Sequence, residues 1–185
     1  MPTQDLAKAK ELMAAAGVTE LTLDATYPSL NVYGVDFSTA MQEVQRNLTE
    51  IGIQLELNPV EISVWAEDMS NDGIPVTMLY FAPDHTDSSQ YVQYFGMIPD
   101  SAWLGRARID EVPEQSELLA AALAEQDPTA RAAIYQQLAE SMIADQVIIP
   151  VVNPNLFLAY RSDITGMHYS ACCNLILAKL GRTGG

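Results

Sequence analysis

Two hydrophobic periods alternate along the first sixty residues, and the switches between them outline a strand–helix–strand unit. Leu6, Ala9, Leu12 and Met13 share one face of a helix over residues 5–17, which Thr3 or Asp5 can cap and Gly17 can stop. Leu21–Tyr27 then alternates with the period of a strand and ends at Pro28. From Asp36 to Ile51 the period returns to that of a helix, with Phe37, Met41, Val44, Leu48 and Ile51 on one face, Asp36 or Ser38 as cap and Gly52 as stop. Ile53–Leu57 alternates again. This order predicts a parallel strand pair joined by a right-handed crossover helix.

Beyond Pro59 the pattern predicts a short helix over Ile62–Met69, a turn at Asp72-Gly73, and a strand from Val76 to Phe81 that stops at Pro83-Asp84. Residues 96–113 mix Gly, Pro and charge and read as loop, followed by a helix over Glu114–Ala124. Asp127-Pro128 has the cap-then-proline signature of a new helix, which runs to Ala144 with Ile134, Leu138, Met142 and Ile143 inward. The continuous apolar run Val147–Val152 predicts a strand buried on both faces, and Leu156–Tyr160 a further short strand. The last stretch, from about residue 161, carries no strong period. Without repeats, low-complexity tracts or linkers, the chain reads as one α/β domain.

Composition narrows the functional classes. Of 185 residues 49% are apolar and 18% charged, the balance of a globular protein. Nine Lys and Arg against 24 Asp and Glu give a formal charge of −15. That balance argues against nucleic acid and against an anionic membrane surface as partners. No apolar run reaches the ~18 residues of a membrane span. Met1–Asp5 has neither a basic region nor an apolar core, so a signal peptide is not expected in this chain. Cys172 and Cys173 are adjacent and are either two thiols or a vicinal disulfide. With His85 and His168 as the only histidines, no metal site and no cofactor are expected. Catalysis is not expected either. There is no Gly-rich phosphate loop, GxSxG elbow or HExxH pair, and Cys172 with His168 lacks an orienting group.

The chemistry concentrates in residues 76–95, where an apolar run ends in a polar turn and resumes as an aromatic segment. Tyr80, Phe81 and Tyr91 can supply apolar walls, and Asp84 and His85 polar groups, at a ligand crevice. Asp84 either pairs with a cationic group or caps the turn after Pro83. Asp87 reads as a cap on a helix starting near Ser88. Trp65 reads as core. Trp103, Arg106 and Arg108 lie in the loop after Gly96, where an arginine either meets a ligand carboxylate or stays solvated. Turn chemistry accounts for Asn153 and Asn155.

Four patches resemble the C-terminal part of the family 5 extracellular solute-binding proteins, the dipeptide, oligopeptide and nickel-type receptors of ABC importers. They are LAKAKELMAAAG (6–17), MQEVQRNLTEIGIQLEL (41–57), FAPDHTDSSQY (81–91) and DPTARAAIYQQLAESMIADQVIIPVVNPNLFLAY (127–160). The resemblance implies an α/β lobe of the periplasmic-binding-protein type II fold, a mixed sheet flanked by helices. Residues 1–165 would form the second, C-terminal lobe, and residues 166–185 a tail returning toward a missing N-terminal lobe. It further implies the substrate-binding component of an ABC importer, a partial one here, that captures a peptide or other small-molecule ligand and docks on ABC permease subunits. The parent protein would be periplasmic or extracellular and membrane-associated only through the transporter. In this reading Asp84 meets the ligand's amino terminus and Phe81, Tyr80, His85 and Tyr91 line the pocket. The family usually has Trp where Phe81 stands and Tyr where His85 stands. The rival reading is a small cytosolic α/β enzyme with its site at the end of the predicted strand 76–82.

Overall fold

A computed structural model describes residues 3–71, 73–107, 110–144, 147–155, 157–170 and 174–184. The chain divides into two compact units, residues 1–80 with 152–157, and residues 81–151 with 158–185. Each unit has a hydrophobic cluster of its own.

In the first unit, helix α1 (Leu6–Ala15) is capped by the Asp5 carboxylate, which accepts from the Lys8 amide at 2.9 Å. Gly17 ends the helix with φ +69°. Strand β1 (Leu21–Pro28) leads to a small hairpin, β2 (Asn31–Val32) and β3 (Val35–Asp36), and then to helix α2 (Phe37–Thr49). Asp36 caps α2 by accepting from the Thr39 amide at 2.7 Å, a bond that holds its carboxyl below the usual range. Strand β4 (Ile53–Val60) pairs in parallel with β1, from Leu21 opposite Ile53 to Pro28 opposite Val60. The predicted strand–helix–strand unit is present. Its core gathers Ala25 and Tyr27 of β1, Phe37 and Met41 of α2, and Leu55 of β4. The apolar stripes therefore have the partner that burial demands. Helix α3 (Ile62–Ser70) follows, and the Trp65 indole donates to the Thr77 hydroxyl at 2.8 Å.

The strand expected over Val76–Phe81 is absent. Only Val76 makes a bridge, parallel to Ala25 on the free side of β1, while Val76 and Met78 pack on the core. A strand needs a ladder along its length, and this segment has one rung.

The second unit begins with helix α4 (Ser89–Phe95), the short α5 (Leu104–Ala107), α6 (Pro113–Ala124) and α7 (Pro128–Ala144). Asp127 caps α7 through the Ala130 amide at 2.8 Å, and Pro128 occupies its first position. Val92, Ile98, Leu119 and Leu138 form the buried cluster. The buried Gln115 side chain accepts from the Met97 amide at 2.8 Å, and the Val112 amide donates to the Met97 carbonyl at 2.7 Å, so the loop between α4 and α6 is tied to the start of α6. Beyond α7 the two predicted strands do not form among the described residues. Ile149, Val151, Val152 and Phe157 are exposed rather than buried on two faces, and Leu156 lies outside the described residues. Pro150 and Pro154 interrupt any ladder there. The tail instead carries two-residue strands, β5 (Ile164–Thr165) with β8 (Gly181–Arg182) and β6 (Tyr169–Ser170) with β7 (Asn174–Leu175). Asp163 joins Arg161 and Arg182 there, and both arginines hold its carboxyl down. Cys172, Cys173 and Arg108 lie outside the described residues.

Candidate functional site

The boundary between the two units falls inside the segment that the sequence singles out. Tyr80 belongs to the first unit, and Phe81, Asp84, His85 and Tyr91 to the second. Each group is therefore described within its own unit.

In the second unit Phe81 anchors an aromatic cluster. Its ring lies 5.1 Å from Tyr91, 4.9 Å from Tyr94 and 5.1 Å from Phe95, with mostly tilted or edge-on geometry. Trp103 extends the cluster at 5.8 Å from Phe95 and is itself buried. The Arg106 guanidinium lies 5.6 Å over the Trp103 ring. Tyr91 keeps an exposed edge.

Asp84 and His85 sit on the exposed turn that follows Pro83. Gln90, in the first turn of α4, organises this turn. Its carbonyl oxygen accepts from the Asp84 amide at 2.6 Å and the His85 amide at 3.3 Å, and its amide donates to Asp84 Oδ2 at 2.9 Å. Asp84 Oδ1 has no protein partner among the described residues. The Asp87 amide donates to His85 Nδ1 at 3.3 Å, which requires that nitrogen to be unprotonated.

Asp87 fulfils the capping role expected of it, accepting from the Ser89 amide at 2.8 Å. It also accepts from the Tyr135 hydroxyl at 3.1 Å and the Arg131 guanidinium at 2.7 Å, both on α7. The Ser89 bonds are the larger cause, with Tyr135 and Arg131 adding to them, and the Asp87 carboxyl is lowered to about 2. The Arg131 guanidinium is raised in turn by Tyr135 and Asp87. Gln90, Arg131 and Tyr135 were not singled out in the sequence. Gln90 sits in the patch as an ordinary polar helix residue. Arg131 and Tyr135 are four apart on one face of α7, which signals a shared face but not its partner.

In the first unit Tyr80 is 47% exposed, and its ring meets Tyr33 edge-on at 6.3 Å. An open groove of about 270 Å³ lies elsewhere on this unit, lined by Lys10, Met13, Val18 and Ile51 among others, and contains none of the five predicted residues. Among the described residues no group of three metal-ligating side chains comes together, and no helix is long and apolar enough to cross a membrane.

The family model of the bacterial extracellular solute-binding proteins, family 5 Middle, matches residues 1–100. No curated protein matches the chain. Solved structures share its fold. A dipeptide binding protein from Pseudoalteromonas sp. SM9913, solved in complex with Met-Leu, is 19% identical with a TM-score of 0.83, over 98% of this chain and 36% of that one. OppA from Burkholderia pseudomallei is 18% identical with a TM-score of 0.76, over 95% and 34%. HbpA2 from Haemophilus parasuis is 18% identical with a TM-score of 0.75, over 96% and 35%. The chain thus spans about a third of the length of these structures.

Proposed function

The chain belongs to the family 5 bacterial extracellular solute-binding proteins and has their type II periplasmic-binding α/β fold, and from that premise we propose that it supplies part of the ligand-binding component of an ABC importer. Its ligand is a peptide or a related amine-bearing solute. Residues 1–165 belong to the C-terminal lobe, and residues 166–185 lead back toward the other lobe. Capture of the ligand between lobes, followed by hinge closure, presents the closed form to the permease subunits.

The observation that carries this reading is the Asp84 carboxylate, held by Gln90 through one oxygen and open at the other. A carboxylate fixed by one hydrogen bond has lost orientational freedom in advance and keeps a lone-pair face for an ammonium donor. Within the same unit Phe81 packs edge-on against Tyr91, one residue after the Gln90 that holds the carboxylate, and His85 follows Asp84 on the turn. The titratable groups of the turn serve recognition, as the solute-binding family implies, and no bond-making step is assigned to them.

Calorimetry on the full polypeptide carrying these residues tests the reading, with the dipeptide Met-Leu and its N-acetylated form as probes. Binding of the free-amine dipeptide that falls at least tenfold on acetylation and on Asp84→Ala is the expected result. Equal affinity for both probes, or an unchanged affinity in Asp84→Ala, removes the assigned role.

A further inference from the structure

Tyr33 sits in a conformation that its side chain does not favour. Strands β2 and β3 pair Val32 with Val35, so Tyr33-Gly34 is a two-residue hairpin loop. Both loop residues have positive φ, 53° at Tyr33 and 81° at Gly34, the pattern of a type I′ turn. The first position of such a turn is ordinarily Asn, Asp or Gly, whose small side chains tolerate the left-handed region. A bulky ring there is strained, and strain of this kind persists where something other than stability selects it.

The ring is not buried in the core either. Tyr33 is half-buried, lies outside the cluster formed by β1, α2 and β4, and makes its ring contact with Tyr80 at 6.3 Å and 80°. Among the described residues neither tyrosine hydroxyl has a hydrogen-bond partner. The result is a two-ring surface with apolar faces and free polar tips, the kind of rigid amphipathic contact that tyrosine supplies in recognition sites.

We infer that Tyr33 is a ligand-contacting residue, carried in a strained hairpin so that it extends Tyr80 into a wall for an apolar side chain of the bound peptide. This rests on the reading of the chain as part of a peptide receptor and on Tyr80 as a pocket residue. It adds a substrate preference that reading lacks: the tyrosine pair selects a large apolar side chain over a small one.

The test uses the full polypeptide carrying these residues, with Tyr33→Asn, Tyr33→Phe and Asp84→Ala, and the tripeptides Ala-Phe-Ala and Ala-Ala-Ala as probes. Asn suits the first position of the turn, so Tyr33→Asn is expected to raise the thermal midpoint. The same variant is expected to weaken Ala-Phe-Ala by about five- to tenfold, the scale of a lost aromatic contact, while Ala-Ala-Ala changes less than about twofold. Tyr33→Phe keeps the wall and is expected to bind Ala-Phe-Ala as the native protein does. Unchanged Ala-Phe-Ala affinity in Tyr33→Asn, or an equal loss for both tripeptides, overturns the inference. If Asp84→Ala leaves binding intact while Tyr33→Asn keeps its selective effect, the amine assignment falls and the wall stands. If neither tripeptide binds the native protein, both fall.

Discussion

Asp87 serves two masters within the second unit. It caps α4 through the Ser89 amide and ties that helix start to α7 through Arg131 and Tyr135. Removing it leaves a helix N–H, a hydroxyl and a guanidinium without their acceptor, so Asp87→Ala is expected to cost about 1–2 kcal/mol in chemical denaturation. The pH dependence has a definite sign. A carboxyl lowered from 3.8 to about 2 binds fewer protons in the folded state, so its stabilisation is complete above pH 3.8 and is lost as pH falls through 2. The side chain is 35% exposed, and solvent screening reduces the effect to about 1 kcal/mol. Asp87→Asn is expected to flatten the stability profile over that window, read as thermal midpoint against pH. Gly52 offers a second test at this scale. Its φ is +86°, and a Cβ would lie 2.5 Å from the Thr19 carbonyl oxygen, which is backbone and cannot swing aside. Gly52→Ala is expected to destabilise by about 1–3 kcal/mol in the same denaturation assay.

The elements that were legible in the sequence are those whose partner is close in the chain. α1, β1, α2 and β4 follow one another with apolar faces that meet locally, and their caps at Asp5 and Asp36 and stops at Gly17 and Gly52 are short-range chemistry. The same holds for α6 and α7, joined by residues 125–127, with Asp127 capping α7 and Pro128 as its first residue. Leu138 of α7 is fully buried in their shared cluster, and Leu138→Ala is expected to cost about 2–5 kcal/mol, seen as a lower denaturant midpoint. What failed was pairing at a distance. Val76–Phe81, Val147–Val152 and Leu156–Tyr160 have strand composition, but composition does not say which neighbour completes the ladder, and among the described residues no ladder runs along these segments. Of the candidate site, the residue types single out the Pro83–Tyr91 turn but not the contacts that organise it. Gln90, five and six residues on from the groups it holds, and Arg131, 44 residues from Asp87, became visible only as contacts. The strained Tyr33 left no periodic signal at all, because backbone sign is not written in hydrophobic pattern.

At the scale of the whole chain, two features act on self-association in opposite senses. The formal charge of −15 makes copies repel. Among the described residues of 149–160, Ile149 is 69%, Val151 and Val152 57%, Phe157 87% and Tyr160 57% exposed, and none belongs to a strand. Exposed apolar side chains of this kind favour association with another chain. Repulsion between exposed charges acts over a Debye length, about 20 Å near 0.02 M salt and about 4 Å near 0.5 M, whereas apolar contact is not weakened by salt. The 185-residue chain on its own is therefore expected to sediment as a monomer at low ionic strength and to associate as salt is raised, the reverse of an assembly held by ion pairs. Ile149→Ser with Phe157→Ser is expected to abolish the salt-driven association while leaving the circular dichroism of the helices unchanged, since neither residue belongs to a buried cluster. Association that weakens with salt assigns it to charge. Association that survives the double substitution moves it to another apolar surface.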